Sequence, residues 1–197
     1  LAFITERLNA GKNTARAWQY GWSGFFAAST AFQYYMVKRS NNSDNEAQYT
    51  VGAIKSAAGL ALMLLRPLPA VKGAKPVEAM PADTPNQRAE RLQAAEGLLH
   101  KNADRARERK SWARHLGSIA IHFLGSTAIA ALGDFKDAAI SNASGIAISQ
   151  VHIWSQPYRA IDDLTAYGRE FPAAPSGEKP SWQLTHIPGG LGISITF

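Results

Sequence analysis

The chain contains no cysteine in its 197 residues. That excludes disulfides, thiolate metal ligands and a cysteine nucleophile, and leaves the compartment open. Acidic residues are scarce: 15 Asp and Glu stand against 21 Lys and Arg, a formal charge of +6. The corresponding isoelectric point is near 9.7. This balance suits an anionic partner such as a phospholipid surface, nucleic acid or an acidic protein. A phosphate-binding glycine loop, an H-E-x-x-H helix and a G-x-S-x-G nucleophile turn are all missing. No recognised nucleic-acid motif accompanies the basic charge, so nucleic acid is not the expected partner. Internal repeats and low-complexity tracts are absent too.

Charge is also lacking from several long stretches, and these organise the chain. Ala113–Pro157 holds two uncharged runs, Leu116–Gly133 and Ala138–Pro157, joined by Asp134-Phe135-Lys136-Asp137. Gly133 suits a left-handed helix end. Asp134 and Asp137 suit the cap and first turn of the next helix. The expectation is an antiparallel helical hairpin. Ser141, Gly145 and Ser149 recur every fourth residue, and Ser126 and Ala130 do so on the partner. Small residues at that spacing let backbones approach, which matters where lipid gives no hydrophobic drive.

Two earlier runs share this character. Trp18–Val37 carries no charge and has aromatics at both ends (Trp18, Tyr20 and Trp22; Phe32, Tyr34 and Tyr35), the pattern of membrane interfaces. Gly24 and Ala28 offer it a packing face. Tyr49–Leu65 is broken only by Lys55, which is expected to snorkel to an interface. Ala53, Ala57 and Ala61 form its small-residue stripe, and Arg66-Pro67-Leu68-Pro69 ends it. Runs of about this length can cross a bilayer. A mean hydropathy of −0.19 is low for a membrane protein and reflects the very polar segments between the runs.

The most polar segment is itself patterned. Residues 66–84 are Pro-rich. Thr84-Pro85-Asn86-Gln87 then reads as a helix start with a capping box. The helix runs to about Lys110, with Leu92, Ala95, Leu99, Ala103 and Ala106 on a narrow apolar stripe. Arg105, Arg107, Arg109 and Lys110, with Arg114 just beyond, are candidates to hold a phosphate headgroup. After Pro157, a short amphipathic helix spans about 158–171. A Pro/Gly/Ser-rich link and two alternating segments around Pro188-Gly189-Gly190 follow, a β-hairpin signal.

Five histidines are the remaining chemistry. His115 and His122 share a helix face, and His152 falls between them in depth, so these three are weak candidates for a metal or haem site. No carboxylate is expected at that level, and interfacial or hydrogen-bonded histidines within a bundle explain them better. Asp162 and Asp163 are adjacent and make a poor acid–base pair.

The reading is therefore an all-α fold: a helical membrane bundle of about four weakly apolar spans (near 18–37, 49–65, 116–133 and 138–157), a basic amphipathic helix near 85–110 and a short C-terminal β-hairpin. The bundle covers 1–171 and the tail 172–197. Lys and Arg number three, eleven and three on one side of these spans and two and one on the other, which predicts the inner membrane with cytoplasmic termini. A start at Leu1 points instead to a cleaved signal peptide and to the periplasm or outer membrane. The expected role is non-enzymatic: an envelope component that structures a membrane or complex, contacts phospholipid, uses no cofactor, and forms a homo-oligomer or joins a larger complex. Alternatives are a lipid-binding or lipid-modifying protein, a haem- or metal-binding bundle, and a soluble periplasmic domain.

Overall fold

A computed structural model describes residues 1–172, 181–187 and 190–196. Helices α1 (Ala2–Ala10) and α2 (Lys12–Arg39) follow one another with only Gly11 between them, and α3 (Ser43–Leu65) returns along α2. A 3₁₀ turn (Pro69–Lys72) and the short α4 (Lys75–Glu78) lead to α5 (Pro85–Lys110). The hairpin α6 (Trp112–Leu132) and α7 (Phe135–Trp154) comes next, then α8 (Arg159–Glu170). By internal contacts the chain divides into Leu1–Leu164 and Thr165–Phe197.

In the first unit all regular structure among the described residues is helical. Helices α2 and α3 run antiparallel, as Gln33 bonding Ser56 and Gln19 bonding Met63 show. So do α6 and α7, through His115–Gln150 at 2.6 Å and Ser118–Ser149 at 2.5 Å. Helix α3 joins the two pairs, packing on both α6 and α7. Buried apolar side chains concentrate at one end, where Ala15 and Trp18 of α2 meet Met63 and Leu68. There the Gln19 amide donates to Met63 O at 2.7 Å and its oxygen accepts from Leu68 N at 3.0 Å. Those bonds satisfy backbone groups left open where Pro67 ends α3.

Helix α5 starts as its sequence predicts. Thr84 and Gln87 form a complete capping box. Its buried stripe is Ala95, Leu99, Asn102, Ala103, Ala106 and Arg109. This stripe packs on α1 and the 3₁₀ turn, so the basic helix lies on the body of its own bundle. Leu92 remains 37% exposed.

In the second unit, β1 (Ser181–Ile187) and β2 (Gly190–Thr196) pair antiparallel, with Trp182 opposite Ile195 and Leu184 opposite Ile193. The link at Pro188-Gly189 and most of the Pro/Gly/Ser-rich stretch, 173–180, fall outside the described residues.

Three expectations need correction. The first is the membrane bundle of about four spans. Among the described residues two helices, α3 and α6, are long and apolar enough to cross a membrane. Helix α2 is diluted by Gln19, Ser23, Ser29, Thr30 and Gln33, and α7 by Ser141, Asn142, Ser144, Ser149 and Gln150. Several of these polar groups are used inside the bundle. The second is Gly133, which has φ −155° and is not left-handed. What it supplies is room: an added Cβ would lie 3.0 Å from the Asp44 Cα at the start of α3. The third is Lys55, which does not snorkel outward. Its ammonium donates to the Ser141 hydroxyl at 3.2 Å, inside the bundle.

Candidate functional site

A cavity of about 590 Å³ lies between α2, α3, α6 and α7, with Arg105 and Arg109 of α5 at one end. That volume is in the range of small-molecule sites. Much of its wall is apolar: Phe25, Phe26, Ala58, Gly59, Leu62 and Ile121. Some of these residues are also open to the outside. Ile54 is 64% exposed and Ile121 57%, and Leu62 and Phe25 are exposed as well. Apolar side chains therefore form part of the cavity's open rim, beside the exposed Arg66 and Ser144.

The α5 end of the cavity is cationic. Arg105 and Arg109 sit one helical turn apart on the same face of α5. Ser111 is the only residue between α5 and α6, and this sharp junction puts Arg114 in the first turn of α6. Arg66 arrives from the end of α3. All four arginines line the cavity. Among the described residues one carboxylate serves this group: Glu108 bonds Arg105 and lies 3.6 Å from Arg66 and 3.7 Å from Arg114. The hydrogen bond from Arg105 holds the Glu108 carboxyl below its ordinary pKa, helped by the charges of Arg105, Arg66 and Arg114.

Arg109 has no carboxylate partner among the described ion pairs. It is buried, donates to Arg66 O at 2.8 Å and places its guanidinium 5.5 Å over the Trp18 ring. Burial, then the charges of Arg105 and Arg114, pushes its pKa down to about 10, so it stays protonated at neutral pH. Four cations against one anion is an unbalanced cluster, and a bound anion would relieve it. Trp18 in turn stacks on His152 at 4.8 Å, and the indoles of Trp18 and Trp22 both donate to Ser155 Oγ at 3.1 and 3.0 Å.

The five basic residues singled out in the sequence divide here. Arg105, Arg109 and Arg114 are brought together at the cavity. Arg107 pairs with Asp104 at 2.9 Å on the exposed side of α5, and Lys110 lies 4.9 Å over the Tyr158 ring. Arg66 was missed. Its signal was a basic residue at a helix end with an arginine-rich helix to follow, but its Pro-rich setting reads only as a helix stop.

The small-residue positions divide too. Gly145 packs tightly, since an added Cβ would overlap the His122 ring. Ser141 holds Lys55, and Ser149 meets Ser118. Gly24 and Ala28 are exposed, and a Cβ at Gly24 would meet nothing within 4 Å. The close approach of α2 and α3 depends instead on Gly52, under Gln33, and Gly59, under the Phe26 ring.

The three histidines are occupied separately. His115 bonds Gln150 and lies between Trp112 and Trp154; His152 sits among Trp18, Trp22 and Phe26; His122 packs on Gly145. Among the described residues no group of three His, Cys, Asp or Glu is placed to hold a metal ion. Comparisons with protein-family models, curated proteins and solved structures find no match to this chain.

Proposed function

We propose that the protein is a non-enzymatic membrane component that holds an anionic lipid. The headgroup phosphate sits among Arg66, Arg105, Arg109 and Arg114, and acyl chain enters the cavity through its open rim. One observation carries this reading: among the described residues a cluster of four arginines sharing one carboxylate lines the end of a cavity whose wall is largely apolar. Guanidinium groups suit phosphate because their forked donors match its oxygens. Helices α3 and α6, the two among the described residues long and apolar enough for a bilayer, make the lipid contact of the body.

A structural or assembly role is the second part of the reading. Large apolar side chains stand exposed along the α6–α7 hairpin, among them Leu116, Phe123, Leu124, Phe135 and Trp154. Exposed apolar surface on this scale favours a lipid layer or further subunits as its cover.

The test is thermal stability in a nonionic detergent with added phosphatidylglycerol or phosphatidylcholine. A ligand bound only by the folded state raises the melting temperature with concentration. Phosphatidylglycerol should stabilise the wild type more than phosphatidylcholine does, and Arg105→Gln/Arg114→Gln should abolish the difference. Equal responses to the two lipids would count against the reading.

A further inference from the structure

The same cavity has a second cationic group, and it stands at the other end of the apolar wall. Lys55 is half-buried and lines the cavity together with the arginines. Its ammonium carries three donors. One is engaged by the neutral hydroxyl of Ser141, and no carboxylate pairs with Lys55 among the described ion pairs. Gly125 makes room for it, since an added Cβ there would meet the Lys55 side chain at 3.1 Å. Around it are polar groups: Gln33, whose amide donates to Ser56 at 2.9 Å, and His122. A charged group in an apolar helix facing a cavity is a functional group by default.

The spacing of the two cationic ends is set by α3 itself. Lys55 and Arg66 are about three helical turns apart, so they lie on one face and about 16 Å from each other along the axis. Between them the α3 wall is Ala58, Gly59 and Leu62, faced by Phe26 and Ile121, with the Ser118 and Ser149 hydroxyls bonded to each other on the α6–α7 side. A largely apolar channel with a cation at each end fits an extended chain with an anion at each end.

We infer that the ligand is a two-headed amphiphile: a phosphate or phosphonate held by the arginine cluster, an unbranched apolar chain of roughly dodecyl length, and a second acidic group bound by Lys55 and Ser141. This inference rests on the reading of the arginine cluster as a headgroup site.

Two probes separate the claims: dodecylphosphonate, with one anionic end, and phosphonododecanoate, the same chain with a terminal carboxylate. Binding of each to the full chain in nonionic detergent is measured by calorimetry. The wild type should bind phosphonododecanoate about tenfold more tightly, the worth of one hydrogen bond to a charged group. Lys55→Met should erase that preference. Arg105→Gln/Arg114→Gln should weaken both probes by about tenfold or more. Equal wild-type affinity for the two probes, or a preference that survives Lys55→Met, overturns the second subsite and leaves the headgroup site standing. Failure of either probe to bind, or binding that ignores the arginine changes, overturns the headgroup reading and the inference with it. Should Lys55→Met fail to fold, Ser141→Ala, which should reduce the preference, and the wild-type comparison still decide the question.

Discussion

Arg109 caps the end of a helix that is not its own: its guanidinium donates at 2.8 Å to the carbonyl of Arg66, where α3 stops. The bond ties α5 to α3 and holds two like charges side by side at the α5 end of the cavity. Arg109→Ala would leave that carbonyl without its partner and remove the cation from the Trp18 face. A loss of stability of about 1–3 kcal/mol is expected by denaturant unfolding in detergent. Phosphatidylglycerol should also protect the variant less than it protects the wild type. An unchanged unfolding midpoint would show that the bond contributes nothing net.

Glycine positions give a sharper contrast. At Gly145 an added methyl overlaps the His122 ring, while at Gly24 it meets nothing within 4 Å. Gly145→Ala should therefore destabilise by about 1–3 kcal/mol through overpacking. Gly24→Ala should stabilise by up to about 1 kcal/mol, because glycine inside a helix loses more chain entropy than alanine. Both are read from melting curves, and a reversed order would mean that α6 and α7 pack on different faces.

Asp163 supplies a pH signature. It is buried beside Arg7 at 3.5 Å and Arg159 at 3.3 Å. Burial raises its pKa despite both arginines. The folded pKa exceeds the unfolded one, so this group's contribution is fully present below the ordinary carboxylate range and is lost as pH rises through the raised value. Asp163→Asn should remove that part of the pH dependence. At neutral pH the variant should change stability by no more than about 1 kcal/mol, because the cost of burying the carboxylate offsets its ion pairs. Stability curves measured from acid to neutral pH check the sign.

The capping box at the head of α5 is a local test. Thr84→Ala removes the acceptor for Gln87 N, which lies 3.3 Å from the Thr84 hydroxyl. A cost of about 1 kcal/mol is expected. Hydrogen exchange should quicken in the first turn of α5 and not in α6.

Much of this architecture can be read from spacing and punctuation. The apolar runs 18–37, 49–65, 116–133 and 138–157 lie along α2, α3, α6 and α7, and Thr84–Gln87 marks the start of α5. Three of the four cavity arginines share one basic stretch, so periodicity finds them. What spacing cannot supply is which face of a helix meets which partner. Gly24 and Gly52 look alike in sequence, yet only Gly52 has a neighbour, because Gln33 of α2 happens to lie over it. Arg66 becomes part of a site only when the end of α3 comes under α5. Lys55 turns inward because Ser141, 86 residues away, offers it an oxygen. Run length points to about four spans, but polar side chains dilute α2 and α7, and among the described residues α3 and α6 are the two helices long and apolar enough to cross a membrane.

The central claim is that this bundle carries an anionic lipid at its arginine cluster. The most direct measurement is lipid analysis by mass spectrometry of the full chain, expressed in its native cell and purified in nonionic detergent, beside Arg105→Gln/Arg114→Gln prepared in the same way. The account predicts an anionic phospholipid or lipid phosphate retained in near-stoichiometric amount by the wild type and lost from the variant. A wild type free of anionic lipid, or a variant that retains it equally, would contradict the account.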